Sequence, residues 1–552
     1  MRISQKVKNS KLSFLLIAFG VIIIALIAWQ FYKYKIANKS IHTTIALKSK
    51  GLYSIHYDSL VIDEVRGIVH VKNIVITPNS EVFKQLVLEK KNPPILIKLT
   101  IPSLDILGIN TPKALLNREI EGTKIKISDP IINIELNHFL KDTTEYNPVK
   151  EIYKELLGKF LKIKIDSIQI LHANVVVSNA NSNEEVFEGK NFSIMLSDLL
   201  IDSIANKDRS RILFSRNVDI KGNEILLPSK NKKYRLYIEN LLFSTRTNSF
   251  YVGKIQLIPQ LSEEAFAKIS RTQKNRCAII LKGLELLHIN LESLWHKKIK
   301  ADSLIINKSS FNIYRDLSYP LDTISKVGKY PQQLLMHLPV LILIKNTVLL
   351  HSNIAYKIKS AKSGKSGTII LSNAWATIHN ITNMNDAISL NNECNLIFKS
   401  TLLQKTPINL KLILLLKNVH GKFYFRGNIG TIKALAINPI IQPLGLARID
   451  KGKISKLDFN FTGIDSSSSG KVILLYNGMK ISLLKVDRKE NKYDKKALAS
   501  FTANLIVKNS NPRKNKKPRI AIVHYKRVLN RSFLYLILGS LLTGIKESAG
   551  IK

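Results

Sequence analysis

The stretch KIKISDPIINIE, Lys124–Glu135, alternates apolar and polar residues with the two-residue period of a β-strand. The same alternation returns in IKIDSIQILHANVVV (Ile163–Val177), KADSLIINKSSFNIYR (Lys300–Arg315) and KLDFNFT (Lys456–Thr462). Asn, Asp, Ser and Gly bound these runs and supply the turn conformations that antiparallel neighbours need. Helical periodicity is scarce by comparison, so the body of the chain reads as mainly β.

Outward from Lys124–Glu135 the chain repeats itself. ALLNREIEGTKIKISDPIINIE (Ala114–Glu135) aligns with SLWHKKIKADSLIINKSSFNIYR (Ser293–Arg315), placing Leu115 on Leu294, Ile120 on Ile299, Ile125 on Leu304, Ile127 on Ile306 and Ile134 on Ile313. Three further blocks keep the same order. Leu52–Ile62 faces Leu236–Ser244, His70–Leu86 faces Val252–Ile269, and Ser103–Asn110 faces Gly283–Asn290. A duplicated unit of about 180 residues implies a stack in which each copy covers the hydrophobic face and strand edges of the next.

Short helices are expected between the strands. Thr111-Pro112 and Asn290 begin brief turns at equivalent places in the repeat. Pro148 opens VKEIYKELLGKFLKI, whose Val149, Ile152, Leu156, Phe160 and Leu161 fall near one face, and Tyr330–Ile344 forms a second candidate that runs straight into a strand. Asn530 is positioned to cap a helix through Ile545, in which Phe533, Leu534, Ile537, Leu538, Leu541, Leu542 and Ile545 form a broad apolar face. This last helix is too short to span a bilayer. It either docks over an open sheet edge or rests on a membrane, with Lys526, Arg527 and Arg531 as headgroup contacts beside Phe533, Leu534, Ile537 and Leu541.

Before the β-rich body, Leu12–Tyr32 (LSFLLIAFGVIIIALIAWQFY) carries no charge and is long enough to cross a ~30 Å hydrocarbon core. Arg2, Lys6, Lys8 and Lys11 precede it, and Trp29, Phe31 and Tyr32 form an interfacial belt. The run exceeds the ~7–15 residue core of a signal peptide and no clear small-x-small cleavage site follows, so a retained anchor is expected. The expected organisation is a cytoplasmic N-terminus over 1–11, a transmembrane helix over 12–32, β-rich repeat units over 50–230 and 231–345, and a third β-module over 346–510. A basic linker over 511–524 and an amphipathic helix over 525–552 complete it.

The net charge of +44 raises the prospect of a nucleic-acid partner. Lys and Arg are scattered rather than gathered on a motif, however, and the anchor puts the body outside the cytoplasm, so no nucleic acid is expected. Such a surface attracts anionic lipid headgroups instead. Two cysteines, Cys277 and Cys394, exclude a disulfide framework and leave open whether they pair with each other.

Catalytic and metal-binding patterns are missing: the chain has no HExxH, no G-x-S-x-G, no Walker A sequence and no cysteine pair at metal-ligand spacing. SGKSG (Ser363–Gly367) lacks the glycine spacing of a phosphate loop and reads as a hairpin connection. His42, His172, His288 and His351 have no convincing companion ligands, and Asp129, Asp166 and Asp302 stand where turn or edge residues would. The expectation is a non-enzyme without cofactor or metal.

The segment Gly421–Leu484 has a distinctive order: a strand and Gly, a short Pro-flanked segment, a hairpin signal around Asp450-Lys451-Gly452, an amphipathic strand, a Ser/Gly loop, then GKVILLYNGMKISLL. This order resembles the C-terminal module of the AsmA-like family of bacterial envelope proteins. LYSIHYDSLVI, IKIDSIQI, IKADSLII and the closing IYRD look like its Bacteroidetes-type members. The resemblance implies an inner-membrane anchor, a periplasmic body and a role in moving or balancing lipid between membranes.

The fold expected is therefore an elongated, repetitive, antiparallel β-sheet groove with short packing helices, one N-terminal transmembrane helix and a C-terminal amphipathic helix. Ile125, Ile127, Ile134, Leu304, Ile306 and Ile313 are the candidate groove lining. Membrane lipids, in particular anionic phospholipid, are the expected partners, with envelope proteins as further ones. The rival expectation is a scaffold for outer-membrane protein assembly whose apolar face is a closed core.

Overall fold

The computed structural model describes residues 49–110, 113, 117, 119–137, 161–180, 182, 184–208, 210–229, 231–487, 492–495 and 507–550. Leu12–Tyr32 and the helix expected after Pro148, as far as Phe160, lie outside them, as do Thr111 and Pro112; the last two residues of that expected helix, Lys162 and Ile163, are strand instead. Among the described residues no helix is long and apolar enough to cross a membrane. The chain divides into two compact units, Met1–Ser229 with Leu236–Tyr251, and Lys230–Arg235 with Val252–Lys552.

The first unit is an antiparallel sheet with a parallel joint. β1 (Tyr53–His56) and β2 (Ser59–Asp63) pair end to end with β3 (Ile68–Pro78). Helix α1 (Ser80–Leu88) follows, and β4 (Ile95–Leu107) returns along β3. β5 (Glu119–Ser128) and β6 (Ile131–Leu136) both pair with β4 on one side and, in parallel, with β7 (Lys162–Asn179) on the other. β8 (Glu184–Ile201) and β9 (Ser215–Pro228) continue antiparallel. β10 (Tyr234–Ser244) and β11 (Ser249–Pro259) are divided between the units.

The second unit repeats this order. Helix α2 (Glu263–Ser270), β12 (Arg276–Leu287), the short helix α3 (Leu291–Trp295) and β13 (Lys298–Asp316) lead through α4 (Pro331–Met336) to β14 (Leu341–Lys359). β14 again lies parallel to its predecessor, and it runs through 345/346 in continuous register with β13. Antiparallel strands follow as β15 (Ser366–Thr382), α5 (Asn385–Leu390), β16 (Glu393–Leu402), β17 (Thr406–Leu415), β18 (Phe423–Ile429) and β19 (Ile432–Lys433). Helix α6 (Asn438–Gly445), β20 (Ala447–Gly463), β21 (Ser467–Asp487), β22 (Lys492–Lys495), β23 (Ala521–Lys526) and α7 (Phe533–Ala549) complete it.

The duplication extends to local chemistry. Asn79 caps α1 by accepting the N–H groups of Glu81 and Val82, and Ser262 caps α2 by accepting that of Ala265. Asn110 accepts from Lys113 N (3.2 Å), as its counterpart Asn290 does from Ser293 N (2.8 Å). Equivalent residues also adopt left-handed backbone: Gly108 and His288, Asp129 and Lys308, His172 and His351, Asn191 and Asn373. Gly108 and His288 follow the ends of β4 and β12, whereas within the long strands such residues belong to bulges: the pairing of β7 with β8 and of β14 with β15 shifts register at His172 and His351. Asn174 and Asn353 bind the backbone N–H of Asn191 and Asn373 at 3.1 and 3.2 Å, fixing both bulges alike.

Three local expectations change. Asp450-Lys451-Gly452 is not a hairpin but an irregular stretch inside β20, where register shifts absorb the Gly. Most of the Ser/Gly loop is strand, because Ser467–Gly470 pair with β23. The cap of α7 is Ser532, which accepts from Tyr535 N, while Asn530 donates to Asp322 O at 2.7 Å. Of SGKSG, Ser363, Gly364 and Lys365 lie in the connection between antiparallel β14 and β15, and Ser366 and Gly367 open β15.

Candidate functional site

Each bulge advances the inward positions by three residues instead of two, so the apolar line stays on one face through a kink. In β7 the line is Ile163, Ile165, Ile168, Ile170, Ala173, Val175 and Val177, every one buried. Its counterpart in β14 is Ile342, Ile344, Thr347, Leu349, Ser352, Ile354 and Tyr356. Thr347 and Ser352 are buried, but the five larger apolar side chains are only half-buried.

The same contrast divides the six groove candidates. Ile125, Ile127 and Ile134 are 4%, 3% and 2% exposed and belong to the first unit's closed cores, which corrects the expectation that they line an open trough. Leu304, Ile306 and Ile313, their repeat equivalents, are half-buried.

Direct cross-strand partners share a sheet face. The partners of Ile306 therefore trace a row across the second unit: Leu284, Ile306, Leu349, Ala376, Phe398 and Leu410. All but Ala376 are half-buried. A second row joins Ile313, Tyr356 and Ile369. The opposite face carries the charged and polar groups: Asp302 pairs with Lys345 at 2.7 Å, Asn346 meets His379 at 2.7 Å, and Lys399 stands over the Trp375 ring at 5.6 Å. Ile305, Val348, Thr377 and Ile397 form a mixed row on that face, so it is the more polar of the two rather than wholly polar. On the apolar face Leu410 packs against the second unit's core, and the row from Leu284 to Phe398 lies outside that core.

Coverage returns at the C-terminal end. The long row continues through Gly427 to Phe459 and Val472, both buried. Tyr330, fully buried, meets Phe533 at 4.7 Å between ring centroids, and Phe533 meets Phe423 at 4.9 Å. The Tyr330 hydroxyl donates to Ile464 O at 3.0 Å, and burial pushes its pKa up to about 12. Helix α7 lies over β21 and β23 through small residues. Ser540 bonds Ser468, Gly544 meets Val472, and Ser548 Oγ accepts from Leu474 N at 2.9 Å.

The helix therefore docks on the sheet, the first of the two alternatives open from sequence. Of its candidate membrane contacts, Ile537 is buried, Phe533 and Leu541 are half-buried, and Leu534 is 49% exposed. Lys526 is exposed. Arg527 is removed from the surface: it is buried, stacked 4.5 Å from the Tyr330 ring, with donors on the carbonyls of Asp465, Lys326 and Arg531. Arg531 is half-buried and bonds Gln273. The docking stripe Ser540, Gly544, Ser548 was missed because attention to the apolar positions hides it, although small residues at four-residue spacing were there to find.

Among the described residues no three of His, Cys, Asp and Glu gather as a metal site. Cys277 and Cys394 are free thiols, and burial pushes Cys394 up to about 11. What the arrangement offers is dispersion and desolvation: each apolar side chain that a ligand covers fully is worth about 1.5–3 kcal/mol at most, less when already half-buried. No protein-family model matches the chain, and no curated protein matches it.

Proposed function

We propose that the second unit binds the acyl chains of lipid along its half-exposed apolar track, and that the protein carries or balances lipid between the membranes of a bacterial envelope. The observation that carries this reading is the row from Leu284 to Phe398, apolar across five strands, half-buried apart from Ala376 and outside the second unit's core, in a sheet whose other face is the more polar one. A folded sheet normally covers such a face with another layer. In this reading the track is a groove, Leu12–Tyr32 anchors the chain in the inner membrane, and the body stands in the periplasm. The resemblance of Gly421–Leu484 to the AsmA-like C-terminal module motivates this reading, although its hairpin and Ser/Gly loop are strand in the structure, and the net charge of +44 suits anionic lipid.

The alternative, a scaffold for outer-membrane protein assembly, draws support from the first unit, where the equivalent line is sealed. Native mass spectrometry of the detergent-extracted full chain separates the two. Co-purifying diacyl lipid that is lost in Leu349→Lys and Phe398→Lys is the expected result; lipid-free protein, or retention unchanged in both variants, refutes the groove.

A further inference from the structure

The apolar row of β13 ends on a charge. After Phe311 and Ile313, the next residue on that side is Arg315, 7% exposed and paired with Ile358 across the parallel joint. Its Nη2 donates to Gln273 O at 3.1 Å. The side-chain carbonyl of the same Gln273 accepts from Arg531 Nη1 at 2.7 Å, so one residue holds two guanidinium groups together. Gln273 cannot swing away, because its amide donates to Leu317 O and Tyr319 O at 3.2 and 2.8 Å.

Lys326 joins them. Its backbone N–H bonds Leu529 O at 2.8 Å, and its ammonium pKa is lowered by burial and then by Arg315 and Arg531, with Asp322 partly offsetting. Arg527 donates to the carbonyls of both Lys326 and Arg531, so the three residues share one neighbourhood in which Arg315 is buried and Lys326 and Arg531 are half-buried. Among the described residues none of Arg315, Lys326 and Arg531 forms an ion pair with a carboxylate. Asp316 is committed elsewhere, to Ser318 and, at 3.4 Å, to Lys359, and Asp322 accepts from Ile324 N at 3.2 Å.

Unspent donors accompany the unspent charge. Nε of Arg315 and Nε of Arg531 are buried without a hydrogen-bond partner. The N-terminus of α7 begins directly after Arg531, with no acidic residue in its first turn to answer the helix dipole. Like charges brought together with idle N–H groups are strongly unfavourable unless an anion completes them.

We propose that Arg315, Lys326 and Arg531 form a binding site for a phosphate-type oxyanion at the end of the apolar track. Guanidinium groups match phosphate oxygens with paired N–H donors, and the ammonium adds a third charge. If the track takes acyl chains, the oxyanion is the headgroup of a phosphate-bearing amphiphile. That identity rests on the lipid reading, whereas the oxyanion site does not.

The test uses the full chain in detergent with four probes: inorganic phosphate, dimyristoyl phosphatidic acid, dimyristoylglycerol, and buffer alone. Arg315→Gln and Arg531→Gln are compared with Lys417→Gln, an exposed charge control. Phosphatidic acid should bind at least tenfold more tightly than dimyristoylglycerol, and each arginine variant should lose about tenfold for the former only. If neither amphiphile binds but inorganic phosphate raises the thermal midpoint of wild type and of Lys417→Gln alone, the oxyanion site stands and the lipid reading falls. Should phosphatidic acid and phosphate act equally on wild type and both arginine variants, or on none, the site is overturned. Thermal midpoints in phosphate-free buffer identify a variant that fails to fold, and Arg315→Lys, which keeps the charge, should then restore part of the affinity.

Discussion

Gly544→Ala tests where the C-terminal helix belongs. A Cβ at Gly544 would fall 2.3 Å from Val472 Cγ2 and 2.9 Å from Val523 Cγ2, both on side chains that are 0% exposed in paired strands. Neither valine can withdraw, so α7 must lift by about 1 Å, at the 1–3 kcal/mol typical of overpacking. Lifting also weakens the Ser540–Ser468 contact and the 2.9 Å bond from Leu474 N to Ser548, about 0.5–1.5 kcal/mol each. Against this stands a gain of roughly 1 kcal/mol from replacing glycine inside a helix. The net expectation is a loss of about 1–5 kcal/mol. Gly539→Ala is the comparison: its Cβ meets the ring of Tyr525, a half-buried side chain that can turn about its χ angles more easily than the two buried valines can move, so its loss should be the smaller one. Amide hydrogen exchange over 521–549 in the full chain reads both. Unchanged or increased protection in Gly544→Ala would refute the docking, and would return the helix to a membrane surface.

Ile127→Asp should cost several kcal/mol by burying an unpaired carboxylate, whereas the repeat-equivalent Ile306→Asp should unfold little and reduce lipid retention; similar denaturation midpoints for the two would deny the contrast between sealed and open lines. Glu121, hydrogen-bonded to Lys113 at 2.7 Å and to Lys162 at 3.1 Å, is held below the usual carboxylate range. Its contribution is present above the ordinary value of about 4.3 and lost as pH falls through the lowered one, so Glu121→Gln should flatten the pH dependence of the urea midpoint below about pH 5, and an unaltered slope would contradict this. Cys394, raised to about 11, should alkylate at pH 8 far more slowly folded than in urea, a difference that mass spectrometry of the labelled peptide measures.

Strand alternation and the aligned blocks made the β-class and the duplicated order of elements readable, since both depend on local periodicity. The bulges were harder. Asp129, Lys308, His172 and His351 share a left-handed backbone, yet only Asp carries a compositional hint of it, and a histidine or lysine at φ near 50° is imposed by the surrounding ladder. Burial was the least legible. Ile127 and Ile306 are the same residue at the same place in the repeat, and nothing in either strand says what lies across from it. A faint signal existed one strand away: the line of β7 contains Ile168 and Ala173, where that of β14 has Thr347 and Ser352. Arg315 was equally visible as the last member of an alternating row, but a terminal arginine on a strand usually reaches solvent, and its burial depends on Gln273 and Arg531 from distant parts of the chain.

Duplication supplies two copies of one bent, amphipathic sheet, and the function proposed here needs them to differ. A copy that closes over its own apolar line contributes a stable core; a copy with hydroxyls set into the line and a cation at its end contributes a surface. The hydroxyls set into the second line, on Thr347 and Ser352, are themselves buried, so each needs a partner. Ser309 N bonding Ser352 Oγ at 3.3 Å shows how the second copy keeps such groups satisfied. The hydroxyl of Thr347, by contrast, is buried without a partner. The aligned bulges make the arrangement possible, because they let the line advance through kinks without changing face. A sheet without them would turn half of these apolar residues toward Asp302, Lys345 and Lys399, where no acyl chain could follow.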